Sequence, residues 1–185
     1  MLNINQKKVL IDIIRSSIKE YLKDKKRVSF EIDDEVLNRE LGAFVTLKIK
    51  GSLRGCIGRV VGDMPLYKTI TEMGIQAAFY DPRFPALTEK EFEEIEIEVS
   101  VLSALEKVGS PVEVKPGLHG VFLKKGFNSG LLLPQVAAEY SWDRDTFLEQ
   151  TCYKAGLAKD AWKDERTEIY VFSAEVFSES EVKSE

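Results

Sequence analysis

One histidine and two cysteines in 185 residues leave little material for the commonest catalytic and metal-binding arrangements. No Cys-x-x-Cys and no His-Glu-x-x-His spacing occurs, so a zinc site would have to draw Cys56, Cys152, His119 and carboxylates from distant segments. A Ser-His-Asp triad would have to use His119, and no Gly-x-Ser-x-Gly elbow accompanies it. No Gly-x-Gly-x-x-Gly opens a helix and no phosphate-loop lysine is present; the glycines of "GCIGRVVG" are wrongly spaced for either. Two cysteines are too few for a disulfide framework, and a reducing compartment would keep both as thiols. There is no apolar run of bilayer length and no basic-then-apolar opening segment, which predicts a cytoplasmic protein without a membrane partner. The net charge of -5 gives no general attraction to nucleic acid, which is not an expected partner.

What is present is an ordinary folding composition, 44% apolar and 31% charged, long enough for one domain with a real core or two joined lobes. Val9, Leu10, Ile13, Ile14, Ile18, Tyr21 and Leu22 recur at helical spacing, and the basic cluster Lys23–Arg27 after them reads as a solvated helix end. "GAFVTLKIKGSLRGCIGRV" reads as a β-hairpin turning at Lys50-Gly51-Ser52. A three-residue loop would pair Ile49 with Leu53, Leu47 with Gly55 and Val45 with Ile57, making one face wholly apolar or glycine. Phe44, Thr46, Lys48, Arg54 and Cys56 then share the other face, because an unbulged strand alternates with a period of two. Asp63 is expected to cap a helix carrying Leu66, Ile70, Met73 and Ala77, and Thr88 to Glu91 fits a capping box. "EIEIEVSVLS" alternates strictly, with Glu94, Glu96, Glu98 and Ser100 on its polar face.

The second half repeats this grammar. "HGVFLKKGFNSGLLLPQV" again gives strand, Lys-Gly turn, strand and helix start, which reads as a weak internal duplication. Asp143 or Asp145 caps a helix with Phe147, Leu148, Thr151 and Cys152, closed by Gly156, and "TEIYVFSAEVF" is a last strand. Strands and helices without a regular βαβ rhythm predict an α+β class, a largely antiparallel sheet with flanking helices.

The chemistry left by elimination is a thiol and a guanidinium. Arg54 would stabilise a Cys56 thiolate if the two heads meet on their shared face, and His119, opening the matching hairpin, is a candidate base for it. The bland alternatives stand beside these. Free cysteine is often a small buried hydrophobe, His119 a hydrogen-bonder at a turn, and Arg54 a salt-bridge partner of Glu98 or Glu96. Cys152 reads as core, and Trp142 and Trp162 as anchors of the C-terminal lobe.

Six motifs in order, "LRGCIG", "DPRFPALT", "EIEVSVLS", "HGV", "LLLPQV" and "CYKAGL", resemble the AMME-chromosomal-region domain family, whose prokaryotic members are called AmmeMemoRadiSam system protein A. The resemblance implies one domain over 1–185 made of two intimately packed subdomains, about 1–108 and 109–185, with a cleft that "LRGCIG" lines or supports. A small molecule handled there would meet Cys56, His119 and Glu98 as candidate catalytic groups, with Arg54, Gly55, Gly58 and Ser100 as candidate ligand-binding residues. The family name records an association with a radical S-adenosylmethionine enzyme and a Memo-like protein, which become the expected partners. It supplies no reaction and no cofactor. A non-catalytic interaction or scaffold subunit is the alternative reading, ahead of a nucleic-acid-binding regulator.

Overall fold

The computed structural model describes residues 1–184, and its first helix begins where the sequence supplies a cap. Asn3 accepts the Gln6 N–H through its side chain while the Gln6 side chain accepts the Asn3 N–H, a reciprocal pair that opens α1 (Ile4–Asp24). The helix stops at Lys25, which turns left-handed at φ 57° and donates its N–H to the Tyr21 carbonyl. Its buried stripe contains the expected Leu10, Ile13, Ile14, Ile18 and Tyr21.

β1 (Ala43–Ile49) and β2 (Ser52–Arg59) form the expected hairpin by a different turn. Only Lys50 and Gly51 lie between the strands, both with positive φ (51° and 78°), the backbone a tight two-residue hairpin turn requires. Ile49 therefore faces Ser52 and Lys48 faces Leu53, after which a bulge restores Leu47 to Gly55 and Val45 to Ile57. The expected Ile49–Leu53 pair does not form, and Arg54 is the residue left over by the bulge.

α2 (Leu66–Phe79) starts at Pro65 without a side-chain cap. Asp63 lies two residues too early to serve and pairs with Arg59 at 2.8 Å instead. Thr88 and Glu91 do form the capping box of α3 (Glu89–Glu94), which runs straight into β3 (Ile95–Leu102). Ala43, Val45, Leu47, Ile95, Ile97 and Val99 join the stripes of α1 and α2 in one core. Each of the valine, leucine and isoleucine side chains taken fully out of water contributes about 1.5–3 kcal/mol.

The second unit contains β4 (Glu106–Lys107), β5 (Gly120–Lys125), β6 (Asn128–Leu132), α4 (Pro134–Glu139), α5 (Arg144–Lys154) and β7 (Glu168–Phe172). Its strands lie in the order β4-β7-β5-β6 around a separate core of Val121, Leu123, Phe147, Leu148 and Cys152. Asp143 caps α5 by accepting the Thr146 N–H at 2.8 Å, and Gly156 at φ 69° closes it.

The expected last strand is two strands in two sheets. β7 ends at Phe172, and β8 (Ala174–Ser178) continues into the first sheet, whose order is β2-β1-β3-β8, before α6 (Glu179–Ser184). Ser173 marks the break: its carbonyl accepts the Ser103 N–H at 2.9 Å and its N–H donates to Ser103 Oγ at 3.0 Å. The first unit is thus Met1–Val101 together with the stretch from Glu175 on, and the second is Leu102–Ala174. That division differs from the expected one near residue 108, because the tail belongs to the first unit. Glu175 ties it there through the Leu2 N–H and Lys7 (2.9 and 3.0 Å), as does Glu179 through Arg15. Among the described residues, six α-helices and two four-stranded antiparallel sheets give the expected α+β class. Among the described residues no helix is long and apolar enough to cross a membrane.

Candidate functional site

β2 is an edge strand, so alternate peptide groups along it point away from β1 and need other partners. The connection after α2 supplies them. The Asp81 carboxylate, 3% exposed, accepts the Cys56 N–H at 2.9 Å, and Arg83 donates to the Cys56 carbonyl at 3.1 Å. Asp81 also accepts both Arg83 Nε and Nη2, at 2.9 and 2.7 Å. The pair thus satisfies both outward peptide groups of Cys56 as a further strand would. The Arg83 side chain holds Asp81 well below the usual carboxylate range, overcoming burial, and the Cys56 N–H adds to this. Arg83 is raised in turn, chiefly by Asp81, and the neighbouring Cys56 adds to it.

With its peptide groups turned outward, Cys56 forms a non-hydrogen-bonded pair with Thr46, the type in which facing side chains come closest. The Thr46 hydroxyl reaches Cys56 Sγ at 3.2 Å, and the thiol is half-buried. Thr46 faces Glu98 on its other side, so Cys56, Thr46 and Glu98 form a row across three strands. Glu98 is ion-paired with Lys48 at 2.7 Å. Gly58, Phe44 and Ser100 form the neighbouring row; Ser100 is buried, and a Cβ at Gly58 would run into the Phe44 ring.

Arg54 goes elsewhere. Its guanidinium grips Glu91 with Nε and Nη2 (2.7 and 3.1 Å), also donates to the Pro85 carbonyl at 2.9 Å, and lies 5.8 Å from the Phe84 ring centre. The side chain is 9% exposed, and Nη1 has no partner among the described residues. The Arg54 hydrogen bonds, together with those from Thr88, hold the Glu91 carboxyl down to about 2. Neither Glu98 nor Glu96 takes the Arg54 charge, and the guanidinium hydrogen-bonded to Cys56 is that of Arg83. Gly55 serves the opposite face, where a Cβ would collide with the Ala77 carbonyl of α2.

Cys56, Glu98, Ser100 and Gly58 therefore share one face of the first sheet. His119 belongs to the second unit, just ahead of β5, where Nδ1 accepts the Lys115 N–H at 3.3 Å beside Glu106 and Glu113. Cys152 is core, 0% exposed, with its thiol pushed up by burial. Asp81 and Arg83 had no role from the sequence, and Glu91, expected only as the capping partner of Thr88, also takes the Arg54 charge. The signal for Asp81 and Arg83 was present in "DPRFPALT", whose acid and base close the edge of "LRGCIG". Among the described residues no group of three or more His, Cys, Asp or Glu side chains is arranged to hold a metal ion.

A family model, AMMECR1, matches residues 11–177. The chain belongs to the AMMECR1 family. A protein of Methanothermobacter thermautotrophicus is 40% identical over 96% of each chain. One from Aquifex aeolicus is 46% identical over 80% of this chain and 79% of its own. The crystal structure of PH0010 from Pyrococcus horikoshii, described as an uncharacterized protein, superposes with a TM-score of 0.86. It is 40% identical and spans 92% of this chain and 90% of that one. The resemblance carried by the six motifs is borne out for the AMMECR1 family as a whole.

Proposed function

We propose that this AMMECR1-family protein handles a small molecule at Cys56, using the thiol as the reacting or ligand-contacting group and Arg83 as the cation beside it. The observation that carries this reading is the fixation of Cys56. Both of its peptide groups are held by the Asp81–Arg83 pair, while Thr46 aims a hydroxyl at a sulfur that is only half-buried. Hydroxyl and guanidinium donors stabilise negative charge that develops on sulfur as a thiol reacts. About half of the Arg83 side chain is exposed (53%), which leaves it able to meet an anionic group on an incoming molecule. Glu98, partly exposed on the same face, is the polar group that would orient such a molecule. A radical S-adenosylmethionine enzyme and a Memo-like protein, the partners that the family name implies, would act in the same pathway.

A second reading is favoured by the same contacts: the Asp81–Arg83 pair closes an exposed strand edge, which a non-catalytic scaffold also needs. The two separate on one experiment, alkylation of Cys56 by iodoacetamide at fixed pH in a Cys152→Ala background. The site reading expects measurable labelling of the folded protein, slowed about threefold to tenfold by Arg83→Gln and by Thr46→Val, with Arg83→Lys retaining the rate. Arg54→Gln should leave the rate unchanged. A Cys56 inert at every pH where the protein stays folded would sink the site reading and leave edge closure as the role of the motif.

A further inference from the structure

The basic cluster after α1 has no part in the Cys56 site, and one member of it is singular. Every other arginine of the chain reaches a carboxylate, and Arg27 reaches none among the described residues. Arg27 lies on the rim of a groove of about 490 Å³, formed where the irregular stretch Arg27–Phe30 runs beside α2. Positions 67, 68, 71, 72 and 75 of α2 line the opposite wall, the spacing of one helical stripe. Val28, Phe30, Tyr67 and Ile75 make its apolar lining.

The charges on the rim are unequal. Glu72 is neutralised by Arg59 at 3.0 Å, and the Thr71 hydroxyl donates to the Tyr67 carbonyl at 2.7 Å. Lys68 lies against the Tyr67 ring, 5.7 Å from its centre, and has no carboxylate partner among the described residues. Two uncompensated cations over an aromatic and aliphatic floor, on a protein whose net charge is -5, are complementary to one kind of occupant. Ligand pockets of this size take drug-sized molecules, with an apolar lining for the body and a few polar groups for orientation.

We infer that this groove binds a small organic anion with a flat apolar body, its carboxylate, sulfonate or phosphate on Arg27 and Lys68 and its body against Phe30 and Tyr67. The guanidinium takes the anion by paired N–H donors, and the ammonium acts as a point charge. The site is independent of the reading given to Cys56.

The probe is 8-anilinonaphthalene-1-sulfonate, titrated into the folded protein by fluorescence with amide chemical-shift mapping. N-phenyl-1-naphthylamine, the same body without the charge, is the control. The sulfonate should shift amides of residues 27–30 and 67–75. Arg27→Gln and Lys68→Gln, both at exposed positions, should each weaken it about threefold to tenfold. Lys154→Gln, on the second unit, should leave it unchanged, and the neutral amine should be indifferent to all three. Failure of the folded protein to bind the sulfonate, equal binding by the Arg27→Gln/Lys68→Gln double variant, or amide shifts confined to other residues would overturn the assignment. So would concentration-dependent changes at the same amides without probe, which would give the groove to a second copy of the chain.

Discussion

Replacing Glu91 with glutamine keeps the size of the side chain and removes the only carboxylate that, among the described residues, pairs with the Arg54 guanidinium. Arg54 is 9% exposed and already has one nitrogen without a partner among the described residues, so the cation left behind has little water to turn to. Two routes give the size of the effect. The Glu91 carboxyl, held from 4.5 down to about 2, corresponds to about 3 kcal/mol at neutral pH, cut to about 2 because a third of this side chain (32%) is wet. Removing one partner of a buried pair typically costs about 3–5 kcal/mol. Glu91→Gln should therefore lose about 2–4 kcal/mol in urea unfolding at pH 7. Arg54→Met should cost less, since the carboxylate it strands can reach water, and the double variant less than the sum of the two singles.

The pH dependence has a definite sign. A carboxyl depressed in the folded state contributes its full stability above its ordinary value near 4.5, and loses it as pH falls toward about 2. The gap between wild type and Glu91→Gln should accordingly narrow between pH 5 and pH 2. A gap below about 1 kcal/mol at pH 7, or one that does not change with pH, would refute the reasoning.

Gly55→Ala drives a methyl group into the Ala77 carbonyl, where neither strand nor helix has a flexible end to yield; a loss of about 2–4 kcal/mol, or failure to fold, is expected in thermal unfolding. Mass-spectrometric mapping after brief iodoacetamide treatment of the native protein should find modification at Cys56 and none at Cys152, which is fully buried with its thiol pushed up. Equal labelling of the two thiols would contradict the core assignment of Cys152.

How much of this was legible varies with the range of the interaction. α1, β3 and the Thr88–Glu91 cap follow from spacing within a few residues, where sequence neighbours are also spatial neighbours. The hairpin shows the limit. Patterning demanded that Leu47 meet Gly55 and Val45 meet Ile57, and they do, but a shorter turn plus a bulge reaches that register as well as a longer loop would. The bulge is what defeated the assignment of Arg54 to Cys56, since period-two reasoning holds only along an unbroken strand. Asp81 and Arg83 were hidden for another reason. Their partners are the backbone of Cys56, 25 or more positions earlier, and backbone groups leave no mark in a sequence. "TEIYVFSAEVF" looks like one strand because both of its sheets need the same alternation.

The order of synthesis gives that last break a consequence. Val101 and Glu175 belong to one unit, yet all of Leu102–Ala174 leaves the ribosome between them. The first sheet lacks β8, and Arg15 lacks Glu179, until the whole interposed unit has been translated. At the roughly 5–20 residues per second of protein synthesis, that is a wait of several seconds with the edge of β3 unpaired. The interposed unit, continuous in sequence, has no such delay. Co-translational folding should therefore finish the second unit first and the first unit last, and a chain truncated after residue 173 and released should be protease-resistant in Leu102–Phe172 while its N-terminal unit, lacking β8 and Glu179, is cleaved faster than in the full chain.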